Sequence, residues 1–130
     1  MKVIICIDDR GGIAFNNRRQ SKDRVLISDV IADADGKTVY IDEYSLPLFK
    51  DTGAAVELDG ELLCDGIHFV EKRSLKAIEH KIDCLVIYKW NRSYPFDMQL
   101  DIDLASFKLK ECTELVGSSH DKITKEIYVK

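Results

Sequence analysis

Short apolar blocks separated by polar turns run along the whole chain. Residues 2–7 are almost entirely apolar and β-branched, which predicts a strand buried on both faces. Residues 83–90 give the strongest strand signal inside the sequence. Further strands are predicted at 38–41, 54–58 and 66–70, and an antiparallel hairpin with one wet face at 107–116 and 123–129.

Helical spacing is found in three shorter stretches. Apolar residues recur at helical intervals from Ser21, a candidate N-cap, to Gly36, which suits a C-terminal stop. Residues 42–50 predict a short helix with Pro47 in its first turn, and residues 74–80 predict another. Residues 8–17, between the first strand and the first helix, have the composition of a loop.

The order of these elements indicates the fold class. Strands that alternate with short helices and finish in a hairpin predict an α/β fold with a mostly parallel sheet, flanking helices and a C-terminal antiparallel edge. The length of 130 residues fits one domain, 1–130. The apolar fraction of 45% and the charged fraction of 32% are those of a globular protein, which excludes disorder and low-complexity assembly.

Net charge and cysteine content limit the binding partners and the cellular compartment that we expect for this protein. The net charge is −4 and the pI is about 5.4, which argues against nucleic acid and acidic membranes as partners. No apolar run is long enough to span a bilayer, and the first strand meets Asp8 too soon for a signal peptide. The four dispersed cysteines form no C-x-x-C pair. We therefore expect a cytoplasmic protein with reduced thiols, and the composition leaves a homo-oligomer open.

Both ends of the chain carry a family resemblance. Near the N-terminus, an apolar strand is followed by Asp8, by the loop Gly11-Gly12-Ile13-Ala14 and by Asn17. Near the C-terminus, Tyr94-Pro95-Phe96-Asp97 and Asp101-Ile102-Asp103-Leu104 precede the closing strands. This arrangement resembles dihydrofolate reductase over the first 35 and the last 45 residues, with the element order intact between them. The resemblance implies the fold of that family.

The chemical motifs of that family are missing from this sequence. Arg19-Gln20-Ser21 stands where the family has Leu-Pro-Trp. The family's helical carboxylate matches Asp23 only if residues are deleted, and Asp29 lies too far along. Asp42-Glu43-Tyr44-Ser45 replaces Met-Gly-Arg-x-Thr, and Phe69-Val70-Glu71-Lys72 replaces the Gly-Gly pair. We therefore expect no folate reduction and no cofactor, with an NADPH-dependent reductase of an unusual substrate as the alternative.

A basic segment adjoins the glycine-containing loop. Residues 18–24 carry four cations and one carboxylate in an otherwise acidic chain. Such a cluster at a helix N-terminus can hold a phosphate or a carboxylate, and a solvated, ion-paired first turn is the competing interpretation. The predicted ligand is a small anion or a nucleotide-like molecule. Its predicted contacts are Gly11, Gly12, Ile13, Ala14, Asn17, Arg18, Arg19 and Arg24.

A second candidate surface follows the strongest strand. Trp90, Arg92 and Tyr94 lie just beyond it, and such residues are enriched at binding sites as well as in ordinary packing. Open α/β sheets bind ligands beyond the carboxyl ends of their strands. We predict either a partner surface or the rim of a pocket at these residues.

Metal and nucleophile chemistry have less support. Cys64-x-x-x-His68 could be half of a metal site, but no second ligand pair has matching spacing, so no metal is expected. Ser118-Ser119-His120-Asp121 has the residue types of a catalytic triad, although neighbours in sequence rarely form one and the run suits a hairpin turn. No catalytic residue is assigned, which favours a ligand-binding or regulatory module over an enzyme.

Overall fold

The computed structural model describes residues 1–130 and contains ten strands. In chain order the strands are β1 (Lys2–Ile7), β2 (Gly12–Phe15), β3 (Arg18–Arg19), β4 (Val39–Ile41), β5 (Val56–Leu58), β6 (Ile67–Val70), β7 (Cys84–Lys89), β8 (Met98–Gln99), β9 (Lys108–Leu115) and β10 (Ile123–Val129).

Seven of the strands form one sheet in the order β5-β4-β6-β1-β7-β10-β9. The first five strands in this order are parallel to one another. At one edge, β10 runs antiparallel to both of its neighbours, β7 and β9. The predicted α/β class, with its mostly parallel sheet and C-terminal hairpin, is confirmed. Residues 8–17, which have the composition of a loop, also contain β2, and β2 pairs with β3 and β8 in a separate antiparallel sheet.

The helices are short, and they begin and end as follows. There are two α-helices, α1 (Arg24–Ala34) and α2 (Leu46–Phe49), and three 3-10 helices at Glu43–Ser45, Lys76–Lys81 and Leu104–Ser106. Asp23, and not Ser21, caps α1, since its carboxylate accepts hydrogen bonds from the amides of Val25 and Leu26. Pro47 lies in the first turn of α2, as predicted. Neither helix is long and apolar enough to cross a membrane.

Apolar layers cover both faces of the main sheet. Val3 and Ile5 of β1 join one layer, and Ile4 joins the other, so the prediction of a strand buried on both faces is confirmed. Leu26 and Val30 of α1 pack into the layer that contains Ile4. Each such side chain stabilises the fold by about 1.5–3 kcal/mol. This packing fixes the N-terminus of α1 close to the carboxyl end of the sheet.

The C-terminal hairpin differs from its prediction in one respect. Residues 108–114 of β9 are all exposed, so this strand has no buried face, and Leu109 is 52% exposed. The reason is its place at the sheet edge, where no helix covers it. Charged residues on both faces of β9, such as Lys110 and Glu111, protect an exposed edge from pairing with another chain.

Candidate functional site

The loop that follows β1 is organised by the buried carboxylate of Asp8. This carboxylate accepts hydrogen bonds from the amides of Gly12 (2.7 Å), Arg10 (2.9 Å) and Tyr94 (3.1 Å) and from the side-chain amide of Gln20 (3.1 Å). Burial alone raises the pKa of Asp8, but these hydrogen bonds outweigh it and lower the pKa. Asp8 therefore joins the first loop to the segment after β7.

The backbone groups predicted to contact a ligand are engaged within the fold. The amides of Gly11 and Gly12 donate to the carbonyl and the carboxylate of Asp8, and Ile13 and Ala14 are buried in β2. Both oxygens of Asn17 accept hydrogen bonds from the Lys72 ammonium group. We do not retain these five residues as ligand contacts, because their polar groups already have partners or face the core.

The three predicted arginines are separated in the structure. Arg19 forms a bidentate ion pair with Glu71, at 2.7 and 3.0 Å, and its guanidinium lies over the ring of Tyr44. Arg18 and Arg24 are exposed and line different crevices. Arg18 and Arg19 both line one crevice, in which the charge of Arg19 is already paired with Glu71, and Arg24 lies at another crevice.

Carboxylates line the sheet edge beyond β4 and β6. A cavity of about 290 Å³ there includes Asp42, Asp59 and Glu71 in its wall. The side chain of Glu71 is 8% exposed and also accepts a hydrogen bond from the Ser45 hydroxyl (2.8 Å). The structure thus brings together Asp42 and Glu71, the acidic residues that the sequence placed at the cofactor-binding positions of dihydrofolate reductases. The cations Lys72 and Arg73 lie in the same wall, and Glu71 is already paired with Arg19, so charge of both signs lines this edge.

A buried polar cluster surrounds the carboxylate of Asp23. Besides capping α1, this carboxylate accepts hydrogen bonds from the amides of Ser118 (3.0 Å) and Ser119 (2.8 Å) in the turn between β9 and β10. Its Oδ2 atom lies 3.1 Å from Nδ1 of His120. Burial alone raises the pKa of Asp23, but the hydrogen bonds hold the pKa well below its usual range. Asp23 is therefore an anion at neutral pH.

His120 connects Asp23 to two hydroxyl groups. The His120 ring is 4% exposed and stacks on Trp90 at 4.5 Å between centroids. Its Nε2 atom lies 3.1 Å from the Ser21 hydroxyl and 3.1 Å from the Tyr94 hydroxyl. A carboxylate can only accept, so Nδ1 carries the proton that faces Asp23, and Nε2 accepts from the hydroxyls.

Sequence reasoning identified His120 and its neighbour Ser119, whose hydroxyl lies 3.3 Å from Nδ1, but not the carboxylate that holds the ring. Asp121 is exposed and its side chain makes no hydrogen bond, whereas Asp23, 97 positions away from His120 in the sequence, holds the ring. The available signal was a polar pair, Ser21 and Asp23, immediately before a predicted helix. Nothing in the spacing of that pair indicates that a distant hairpin turn folds onto it.

The surface predicted after β7 is mostly internal. Trp90 is 3% exposed and covers His120, while Arg92 is exposed and its side chain has no hydrogen-bond partner. Tyr94 is half-buried and lines an open crevice of about 760 Å³, which we call the Arg18 crevice and which also includes Phe15 and Gln20. The interpretation as a pocket rim therefore fits Tyr94. The interpretation as a partner surface does not fit Trp90, because its side chain is buried.

A wider groove lies between α1, α2 and the hairpin turn. This α1–α2 groove encloses about 1200 Å³, including space open to solvent. Its cations are Lys22, Arg24 and Lys50, and none of them forms an ion pair within the chain. Its floor is apolar, and its walls carry hydroxyl groups. The lining residues besides the cations include Ile27, Ser28, Pro47, Leu48, Thr52, Ser118 and Ser119.

In the structure, the predicted half-site Cys64-x-x-x-His68 gains no further metal ligand. Cys64 is exposed, and His68 is fully buried with Nε2 at 2.7 Å from the Cys64 carbonyl oxygen. No group of three His, Cys, Asp or Glu side chains is arranged to hold a metal ion.

The order and directions of the seven main strands, with α1 and α2 on one face, define a dihydrofolate reductase-like domain. A dihydrofolate reductase from Enterococcus faecalis, solved in complex with NADP(H) and RAB-propyl, superimposes with a TM-score of 0.68. The two share 13% sequence identity over 98% of this chain and 94% of the reductase chain, a likeness that establishes the fold alone. No protein-family model matches the sequence, and no curated protein matches it.

Proposed function

We propose that this dihydrofolate reductase-like domain binds a small organic anion in the α1–α2 groove. One observation carries the proposal: Lys22, Arg24 and Lys50 surround the groove without internal partners, and the one carboxylate in its wall, Asp23, is fully engaged in hydrogen bonds. Three cations over an apolar floor suit a ligand with a flat apolar body and one or two carboxylate or phosphate groups.

We also propose that the protein is located in the cytoplasm. All four cysteines are free, and Cys6 and Cys84 lie within strands of the main sheet, which supports a cytoplasmic location with reduced thiols. Burial raises the pKa of the Cys6 thiol well above its usual value, so this thiol is inert. A homo-oligomer stays open.

Removing groove cations should weaken anion binding. N-benzoylglutamate, an aromatic dicarboxylate, and AMP are suitable probes, and binding can be measured by thermal shift and calorimetry. We expect the Arg24→Ala, Lys50→Ala double variant to lose about tenfold in affinity, because each contact from an exposed cation contributes about 0.2–1 kcal/mol. Lys76→Ala is the matched control, since Lys76 is an exposed lysine outside the groove and without an ion pair. Equal affinity in the double variant, or no binding of either probe to the wild type, would contradict the proposal.

A second candidate function is an NADPH-dependent reductase of an unusual substrate. The Enterococcus faecalis reductase with this fold was solved with NADP(H), and that neighbour supports the candidate. The carboxylate of Asp42 and the ion pair between Glu71 and Arg19 occupy the edge beyond β4 and β6, which argues against this candidate. We expect no change in nicotinamide fluorescence when the protein is titrated with NADPH to about 100 μM. Saturable binding in the micromolar range would instead favour the reductase.

A further inference from the structure

Three polar side chains stand in series at the N-terminus of α1. The Ser21 hydroxyl lies 3.1 Å from Nε2 of His120, and Nδ1 of the same ring lies 3.1 Å from the Asp23 carboxylate. Both distances are within the reach over which a base activates a nucleophile and a carboxylate orients the base. None of the three groups takes part in the groove proposal as a ligand contact.

The protonation pattern of this series is that of a resting nucleophilic site. The anionic Asp23 holds the proton on Nδ1, which leaves the lone pair of Nε2 directed at the hydroxyls. Asp23 and His120 are shielded from water, whereas Ser21 is half-buried and lines, with Trp90, a space with room for about one water molecule. We infer that Ser21 and His120, oriented by Asp23, form a catalytic site that hydrolyses esters of small carboxylic acids.

The neighbouring surface indicates the class of ester. Arg19 and Gln20 line both the cavity at Ser21 and the Arg18 crevice, so the two spaces are adjacent. Arg18 has no ion-pair partner, and Phe15 and Tyr94 give the crevice aromatic walls. The Oε1 atom of Gln20 is buried without a hydrogen-bond partner and is available to a donor. These features fit an aromatic ester that carries a negative charge.

The reaction balances with water as its only co-reactant. The Ser21 oxygen bonds to the ester carbonyl carbon while its proton passes to Nε2 of His120. The carbon–oxygen bond to the alcohol then breaks, and His120 returns the proton to the leaving oxygen. Water attacks the acyl-serine in the same way and gives up one proton through His120, so that the free acid leaves and the Ser21 hydroxyl is restored.

Tyr94 has a role that follows from the same geometry. Its hydroxyl lies 3.1 Å from Nε2 of His120, beside the Ser21 hydroxyl that donates to this atom. Once His120 has taken the serine proton, Nε2 no longer accepts, and the Tyr94 hydroxyl is free to donate to the oxyanion that forms on the substrate. Removing this hydroxyl lowers the turnover rate and leaves Ser21 in contact with its base.

Labelling with a fluorophosphonate, which reacts with activated serines, tests the inference. We expect one adduct per chain, mapped to Ser21 by mass spectrometry, and hydrolysis of mono-4-nitrophenyl succinate faster than of 4-nitrophenyl acetate. Ser21→Ala should abolish both reactions, and His120→Gln should slow labelling at least 100-fold. Ser106→Ala is the control, since Ser106 is exposed and has no side-chain hydrogen bond. An unlabelled wild type, or equal labelling of the His120→Gln variant, overturns the proposal.

Two measurements keep this test independent of folding and of the groove. Ser21 makes its one side-chain hydrogen bond to His120, so Ser21→Ala should keep its melting temperature within a few degrees and remain interpretable even if His120→Gln unfolds. Lys76→Ala, at an exposed lysine outside both the groove and the Arg18 crevice, should leave labelling unchanged. A wild type that is labelled at Ser21 but binds neither anion probe would refute the groove alone, and a wild type that binds a probe but is not labelled would refute the esterase alone.

Discussion

Asp23→Ala should destabilise the protein by about 3–5 kcal/mol, the cost of leaving buried hydrogen-bonding groups without their charged partner. The substitution removes the cap of α1. It also leaves the amides of Ser118 and Ser119 and the Nδ1 proton of His120 without their hydrogen-bond acceptor. For a domain of this size we expect the melting temperature to fall by about 10–15 °C. Chemical denaturation and calorimetry measure both quantities.

The matched control for that prediction lies in the same hairpin turn. Asp121 is exposed and makes no side-chain hydrogen bond, so Asp121→Ala should change stability by no more than about 0.5 kcal/mol. If Asp23→Ala were as stable as Asp121→Ala, the buried cluster would contribute nothing to the fold. Asp23→Asn should lie between the two, because it keeps an acceptor oxygen but loses the charge.

The pH dependence of the same variants follows from the lowered pKa of Asp23. A carboxylate whose pKa is lower in the folded state contributes stability that is fully present above its unfolded pKa of about 3.9 and is lost as the pH falls towards the folded value. The stability difference between the wild type and Asp23→Asn should therefore be constant from about pH 5 to 8 and shrink below about pH 4.

The sequence predicted the main sheet well because its strands are continuous apolar runs. Residues 2–7 and 83–90 are apolar runs without the three-to-four-residue spacing that is typical of a surface helix. They form the neighbouring strands β1 and β7 in the middle of the sheet. The short strands β2, β3 and β8 were missed for the opposite reason. Each is two to four residues long, and their pairing depends on contacts between distant segments.

The candidate sites were less predictable because the position of a charged residue in the sequence does not show which residue it pairs with. Arg18 and Arg19 are adjacent in the sequence, yet one is exposed in a crevice and the other is paired with Glu71, 52 positions away. The groove cations Lys22 and Lys50 come from separate segments that only the packing of α1 and α2 brings together. Local patterns specify which side chains face the core, while a polar site is assembled by tertiary contacts.

Lys125→Met should destabilise the protein by about 2–4 kcal/mol. Lys125 of β10 is 7% exposed, and its ammonium group lies 2.7 Å from Asp29 and also pairs with Asp33 on α1. Asp29 accepts a further hydrogen bond from the fully buried Tyr88 hydroxyl. Burial alone lowers the pKa of Lys125, but the two carboxylates outweigh it and raise the pKa. Methionine fills the volume of the lysine stem and leaves Asp29 without its counter-charge, an effect that denaturant melts at pH 7 will measure.

The size of that effect distinguishes a buried ion pair from a surface one. Lys122 pairs with Glu114 at 3.1 Å, but both side chains are more than half exposed, so Lys122→Met should cost no more than about 0.5 kcal/mol. Adding Asp29→Asn to Lys125→Met should recover part of the lost stability, because the unpaired charge is then removed while the amide oxygen still accepts from the Tyr88 hydroxyl. If Lys125→Met were no more costly than Lys122→Met, the contact between α1 and β10 would depend on apolar packing alone.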